Sequence, residues 1–140
     1  MKVKLSEITF EKLDLLEGIV DSQESSIEEY PLPSWYKEVK SIPLNKLQLE
    51  DVCKACRQGI HLVYVIPLAL NILKDDSLAG DMYEGELLVS MKTVPSNFWT
   101  IHKRDKSLFL SIVEKDMNIY PNDIASDVKD IINKIKGGFS

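Results

Sequence analysis

Apolar residues recur at helical spacing along this chain, most clearly near its C-terminus. Five of them follow one another at intervals of 4, 3, 1 and 3 residues: Ile124, Val128, Ile131, Ile132 and Ile135. These intervals place all five side chains on one face of a helix. Pro121 and Asp123 suit its first turn, and Lys134 and Lys136 suit its last turn, which Gly137 ends.

The same reasoning predicts further helices upstream. Their approximate ranges are 10–20, 34–40, 49–58, 83–92 and 108–116, with another beginning at Pro95. Thr9 is positioned to cap the first, with Ile8 and Leu13 as a hydrophobic staple, and Gly59 is the natural stop of the third. Residues 21–33 are polar and then bounded by prolines, which predicts an extended crossing segment.

Residues 60–73 are apolar on every side, which predicts a helix buried all round. Taken alone, residues 60–66 could form a strand, with Pro67 starting a helix behind it. We favour a helix for most of the segment, because only the weakly alternating residues 2–10 could pair with it as a second strand. The expected fold is all-α: a compact single-domain bundle of about six to eight helices around this buried central helix.

Length and composition fit one domain spanning residues 1–140. The chain has 140 residues, of which 44% are hydrophobic and 28% charged, and this is ordinary globular usage. No apolar stretch reaches the roughly 20 residues of a membrane-spanning helix, and no signal peptide is apparent. With 2 cysteines, the chain is not a disulfide scaffold, and the expected location is the cytoplasm.

The net charge of -5 is unevenly distributed. Residues 1–30 carry 3 lysines and 8 acids, and residues 61–93 carry 2 lysines and 5 acids. Residues 31–60 and 94–140 are slightly basic. This distribution argues against binding to nucleic acid, which needs a basic surface, and is compatible with a basic protein partner. A solvated acidic surface that only aids solubility is the alternative.

No residue pattern points to catalysis, a cofactor or a metal. Cys53 and Cys56 are spaced as C-x-x-C but fall inside a helix, downstream of acids that disfavour a thiolate, so we expect both to face the core. His61 and His102 are 41 residues apart and match no zinc motif. The pairs Trp35-Tyr36 and Phe98-Trp99 are more typical of core packing than of an interface.

A run in the middle of the chain carries a family resemblance. It comprises Pro43-Leu44, Glu50-Asp51, Arg57-Gln58-Gly59-Ile60, Tyr64-Val65-Ile66-Pro67-Leu68-Ala69-Leu70, Gly80-Asp81-Met82-Tyr83-Glu84-Gly85-Glu86-Leu87-Leu88, Val94-Pro95 and Phe98-Trp99, with Leu15-Leu16-Glu17-Gly18 upstream. Over about residues 10–100 the chain resembles the immunity proteins of bacterial contact-dependent growth inhibition (CDI) systems. Gln48-Leu49 stands where that family has a Thr or Ser cap, and residues 105–140 form a C-terminal helical extension without a clear counterpart.

The resemblance implies a cytoplasmic protein that binds and neutralises the C-terminal toxin domain of a CDI effector, often a nuclease, and that has no enzymatic activity. A helical interaction or regulatory module without a toxin partner is the alternative, and a thiol or metal enzyme built on Cys53 and Cys56 is a third. The residues that carry the resemblance are typical of scaffold. We expect the toxin to meet two acidic clusters: Glu24, Glu28 and Glu29, and Asp75, Asp76, Asp81, Glu84 and Glu86.

Overall fold

The computed structural model describes residues 7–16 and 34–137. Within these ranges all regular structure is helical, which confirms the predicted all-α fold. Eight α-helices are described: α1 (Phe10–Leu16), α2 (Ser34–Val39), α3 (Leu49–Gln58), α4 (Leu62–Asp75), α5 (Glu86–Ser90), α6 (Ser96–Ile101), α7 (Lys103–Asp116) and α8 (Asn122–Gly137). Short 3₁₀ turns lie at Leu44–Lys46, Met91–Thr93 and Met117–Ile119. None of the described helices is long and apolar enough to cross a bilayer.

The chain forms two compact units, Met1–Leu47 and Gln48–Ser140. In the first unit, Thr9 caps α1 as predicted, because its Oγ1 accepts the backbone N–H of Lys12 at 3.1 Å. The rings of Phe10 and Tyr36 stack with centroids 5.6 Å apart, and the Tyr36 hydroxyl donates to Asp14 at 2.7 Å. The predicted continuation of α1 to residue 20 and the crossing segment 21–33 lie outside the described residues.

In the second unit, α3 begins and ends where the sequence predicts. The Asp51 carboxylate accepts the N–H of Gln48, the residue before the helix, at 3.0 Å. Gly59 ends the helix in the left-handed conformation, with φ of 68°. Gln48 thus stands at the cap despite its departure from the Thr or Ser of the family pattern.

Helix α4 settles the choice between helix and strand for residues 60–66, but it is not buried on every side. One face is in the core and comprises Val65, Ile66, Ala69, Leu70 and Leu73. Val63, Pro67 and Asn71 follow at intervals of four residues, so they share the opposite face, and all three are exposed. The expectation of all-round burial is therefore wrong, and Leu68 is only half-buried.

Pro67 lies inside α4 instead of starting it. A proline there cannot donate the backbone hydrogen bond that the carbonyl of Val63 would accept. Val63 is 52% exposed, so water can reach this turn of the helix. The exposed face of α4 is thus the face that tolerates the proline.

The remaining helices of the second unit pack around a core of large apolar side chains. Helix α4 contacts α3, α5 and α7, while α8 contacts α5, α6 and α7. Trp99 is fully buried and lies 5.3 Å from the Phe109 ring centroid, and Phe98 is also buried, as predicted for this aromatic pair. Four of the five apolar residues of the C-terminal stripe are buried, and Ile132 is half-buried.

We expect Leu70→Ala to lower the free energy of unfolding by about 2–5 kcal/mol, because Leu70 is fully buried and truncation leaves a cavity. The matched control on the exposed face, Val63→Ala, should cost less than about 1 kcal/mol. Urea denaturation followed by circular dichroism measures both. Equal losses for the two variants would contradict the assignment of the two faces.

Candidate functional site

A surface groove of about 550 Å³ lies in the second unit, between α3 and the loop that leads into α5. It is lined by Glu50, Lys54, Arg57, Asp81, Met82, Tyr83 and Glu86. The first three project from α3 at intervals of four and three residues, so the helix presents them on one face. The others come from a short connection, residues 81–84, and from the first residue of α5; we call this connection the 81–84 loop.

The carboxylate of Glu86 is buried beneath the 81–84 loop and holds it in place. Its Oε1 accepts the backbone N–H groups of Asp81 and Met82, each at 2.8 Å. Its Oε2 accepts Nη1 of Arg57 at 3.3 Å, and the same Nη1 donates to the Ser90 hydroxyl at 3.0 Å. One side chain thereby connects the loop, α3 and α5.

Burial by itself would disfavour the charged form of Glu86. The N–H groups of Met82 and Asp81 and the nearby Arg57 guanidinium outweigh that effect and lower the pKa of Glu86. The carboxylate is therefore ionised at neutral pH, and its charge is compensated within the chain.

Two glycines allow the 81–84 loop to close so tightly. A Cβ at Gly80 would collide with the carbonyl oxygen of Tyr83 and come within 2.9 Å of the Glu86 backbone nitrogen. Gly85 has φ of 86°, a left-handed conformation that few other residues adopt, and a Cβ there would meet Ile124 at 2.7 Å. The left-handed Gly85 also explains why α5 begins at Glu86, three residues later than the predicted start of this helix.

The 81–84 loop carries two large apolar side chains that are open to solvent. Met82 is 79% exposed and Tyr83 is 50% exposed. The acids on either side of them, Asp81 and Glu84, are also exposed. The loop thus combines a fixed backbone with an exposed apolar tip and an acidic border.

The structure divides the second predicted acidic cluster into exposed members and one buried member. Asp75, Asp76, Asp81 and Glu84 are exposed within a span of ten residues. Asp76 also has a local role, because its Oδ1 accepts the N–H of Leu78 at 3.1 Å. Glu86 is only 3% exposed and is engaged internally, so it does not contribute surface charge. The first cluster, Glu24, Glu28 and Glu29, lies outside the described residues.

Cys53 and Cys56 face the core, as predicted, and both are fully buried free thiols. Burial, with the nearby Glu86 charge, raises the pKa of Cys53 to about 11. Burial, with a contribution from Cys53, raises the pKa of Cys56 to about 12. Both thiols therefore stay protonated at physiological pH and are poor nucleophiles and poor metal ligands.

The two histidines lie on different elements, and neither lines the groove. His102 stacks on Phe98 with ring centroids 4.3 Å apart, between α6 and α7. His61 precedes α4 with φ of 44°, and its carbonyl accepts backbone N–H groups of the first helical turn. In the part of the chain that the structure describes, no group of three His, Cys, Asp or Glu side chains is arranged to hold a metal ion.

The part of the chain that the structure describes is thus a helical protein with a surface groove bordered by an exposed apolar loop. Comparison with known families adds its class: the family model for CDI immunity proteins matches residues 16–108. The match covers more than half of the chain, which therefore belongs to the CDI immunity proteins. No curated protein matches the sequence.

Sequence reasoning missed the residues that organise this site. The sequence indicates a scaffold residue at Arg57 and a toxin-facing surface acid at Glu86, whereas the two side chains bind each other. Met82 and Tyr83 were assigned to scaffold. The spacing of Gly80 and Gly85 around polar residues is the one feature of the sequence that could have indicated a tight, exposed loop.

We expect Glu86→Gln to destabilise the protein at neutral pH, by about 1–3 kcal/mol, because Arg57 and two backbone N–H groups lose their charged acceptor. The lowered pKa means that this stabilisation is fully present above the ordinary carboxyl range and is lost as pH falls through the folded-state pKa. Urea denaturation of both proteins across pH 3–7 should show the difference shrinking toward acid. A difference independent of pH would contradict the assignment.

We expect the double variant Cys53→Ser, Cys56→Ser to lose stability but to keep its binding activity, because both thiols are buried and protonated and neither lines the groove. Denaturation and a binding assay with the toxin domain measure the two effects separately. Stoichiometric zinc in the purified wild type, or loss of binding by a folded double variant, would refute this prediction.

Proposed function

We propose that this chain neutralises the C-terminal toxin domain of its own CDI effector by binding it directly in the cytoplasm, without catalysis. We further propose that the toxin is a basic protein, a nuclease, whose phosphate-binding surface meets the acidic surface of this chain. Membership of the CDI immunity proteins supports the role of toxin neutralisation. This family is generally non-enzymatic, which favours action by binding alone.

The observation that carries the proposal is the exposure of Asp75, Asp76, Asp81 and Glu84 within one short segment of the second unit. With four acids against one lysine, Lys74, residues 74–84 carry a net charge of -3, and all five charged side chains are exposed. The Arg57 charge nearby does not cancel it, because that guanidinium is paired with the buried Glu86. The proposed docking surface consists of these four exposed acids, without Glu86. We propose Glu24, Glu28 and Glu29 as a separate set of toxin contacts.

Charge complementarity of this kind acts mainly on association. Oppositely charged surfaces steer two proteins together and raise the association rate constant, and salt weakens that effect by screening. Rapid capture suits a protein that must bind a toxin before it damages the cell. It also predicts a measurable dependence on ionic strength.

We expect the triple reversal Asp75→Lys, Asp81→Lys, Glu84→Lys to slow association with the toxin domain roughly tenfold at low salt and to flatten the salt dependence. Asp76 and Glu86 are left unchanged because each accepts backbone hydrogen bonds. The probe is the toxin domain encoded immediately upstream of this chain, and surface plasmon resonance across salt concentrations gives the rate constants.

The matched control is Glu38→Lys, Glu114→Lys, Asp130→Lys, which changes the net charge equally at exposed positions outside the groove. A docking effect requires the first variant to be slower than the control. Equal rates for the two variants would refute the proposed surface. Failure of the wild type to bind the toxin domain would refute the proposed function itself and favour an interaction module with another partner.

A further inference from the structure

We propose that Met82 and Tyr83 are the apolar anchor of the toxin interface and that they insert into an apolar cleft bordered by basic residues on the toxin domain. This inference rests on the proposed function and specifies which side chains keep the complex together. The acids described above govern the encounter, whereas this pair governs how long the complex lasts.

The first support is the exposure of the pair. Met82 and Tyr83 leave 79% and 50% of their surface in contact with water, although both are large side chains that could contribute to a core. They lie next to each other on the 81–84 loop and border the groove. Buried aromatic side chains carry a large share of the binding energy in protein interfaces, and a methionine adapts its shape to a partner.

The second support is the fixed backbone beneath the pair. Glu86 binds the N–H groups of Asp81 and Met82, and Gly85 donates its N–H to the Leu78 carbonyl at 2.8 Å. Gly80 admits the close approach of the Tyr83 carbonyl. The chain thus holds an exposed apolar tip in one conformation. Binding of a partner therefore costs little backbone conformational entropy.

The charges around the pair define the partner. Asp81 and Glu84 flank the pair on the loop, Asp75 and Asp76 lie just before the loop in the sequence, and all four are exposed. A second copy of this chain docking through the same loop in a symmetric dimer would place these acids against themselves, which costs free energy. With a basic partner, the same acids would instead lower the electrostatic free energy of association. The loop therefore fits a toxin surface that offers an apolar cleft with lysine or arginine at its rim.

The test is the double variant Met82→Ala, Tyr83→Ala in the full chain, with the same toxin domain as the probe. We expect dissociation to accelerate more than about tenfold, because the apolar anchor is lost. The association rate constant should stay within about twofold and the salt dependence should be unchanged, since no charge is altered. Unfolding free energy should also be unchanged, because both side chains are exposed.

The matched control is Val63→Ala, Ile101→Ala, which truncates two exposed apolar residues outside the groove, 52% and 69% accessible. This variant should dissociate at the wild-type rate. If the Met82/Tyr83 variant also dissociates at the wild-type rate while the wild type binds tightly, the anchor is refuted and the proposed function stands. If the wild type does not bind the toxin domain at all, the proposed function is refuted, and the anchor proposal that rests on it is refuted with it.

Sedimentation of the wild type without toxin gives an independent outcome. We expect a species that does not self-associate through this loop. A dimer that the Met82→Ala, Tyr83→Ala variant dissociates would overturn the proposal, because the loop would then be a contact between copies of this chain.

Discussion

The candidate site depends on the hydrogen bonds that the buried carboxylate of Glu86 accepts. Glu86 receives two backbone N–H groups from the 81–84 loop and the guanidinium of Arg57 from α3, while its own backbone begins α5. A buried charge is tolerated only when partners replace its lost hydration, and here three donors do so. Removing it would leave the two loop amides without their acceptor and Arg57 without its anionic partner, so the loop and both helices would be affected together.

The proposed toxin interface separates two tasks, rapid association with the toxin and slow dissociation from it. Long-range attraction depends on net charge and tolerates variation in side-chain position, so exposed acids such as Asp75 and Glu84 can perform it. Durable binding depends on close packing of apolar groups, which requires their positions to be fixed in advance. Met82 and Tyr83 satisfy that second requirement only because Glu86 and the glycines hold their backbone.

The sequence was most informative where a helix has one apolar face and ordinary ends. The stripe from Ile124 to Ile135 and the stop at Gly59 follow from spacing and backbone geometry, both of which are local. It was less informative for α4, where apolar composition suggested burial on all sides. Composition does not reveal which apolar residues meet a neighbouring helix, so the exposure of Val63 and Pro67 could not be predicted. The Arg57–Glu86 pair joins residues 29 positions apart, and no local pattern indicates such a contact.

Helix α3 shows why scaffold and binding site cannot be assigned to different parts of this sequence. Its buried face contains Val52, Cys53 and Cys56, while Glu50, Lys54 and Arg57 line the groove. The same ten residues therefore support the core and shape the site. Structural and exposed residues are also mixed in and around the 81–84 loop, because Gly80 and Gly85 fix the backbone while Met82 and Tyr83 are exposed. Substitutions on an outward face leave the core packing intact, so, under the proposed toxin interface, a change at Met82 would alter the preference for one toxin over another without a large loss of stability.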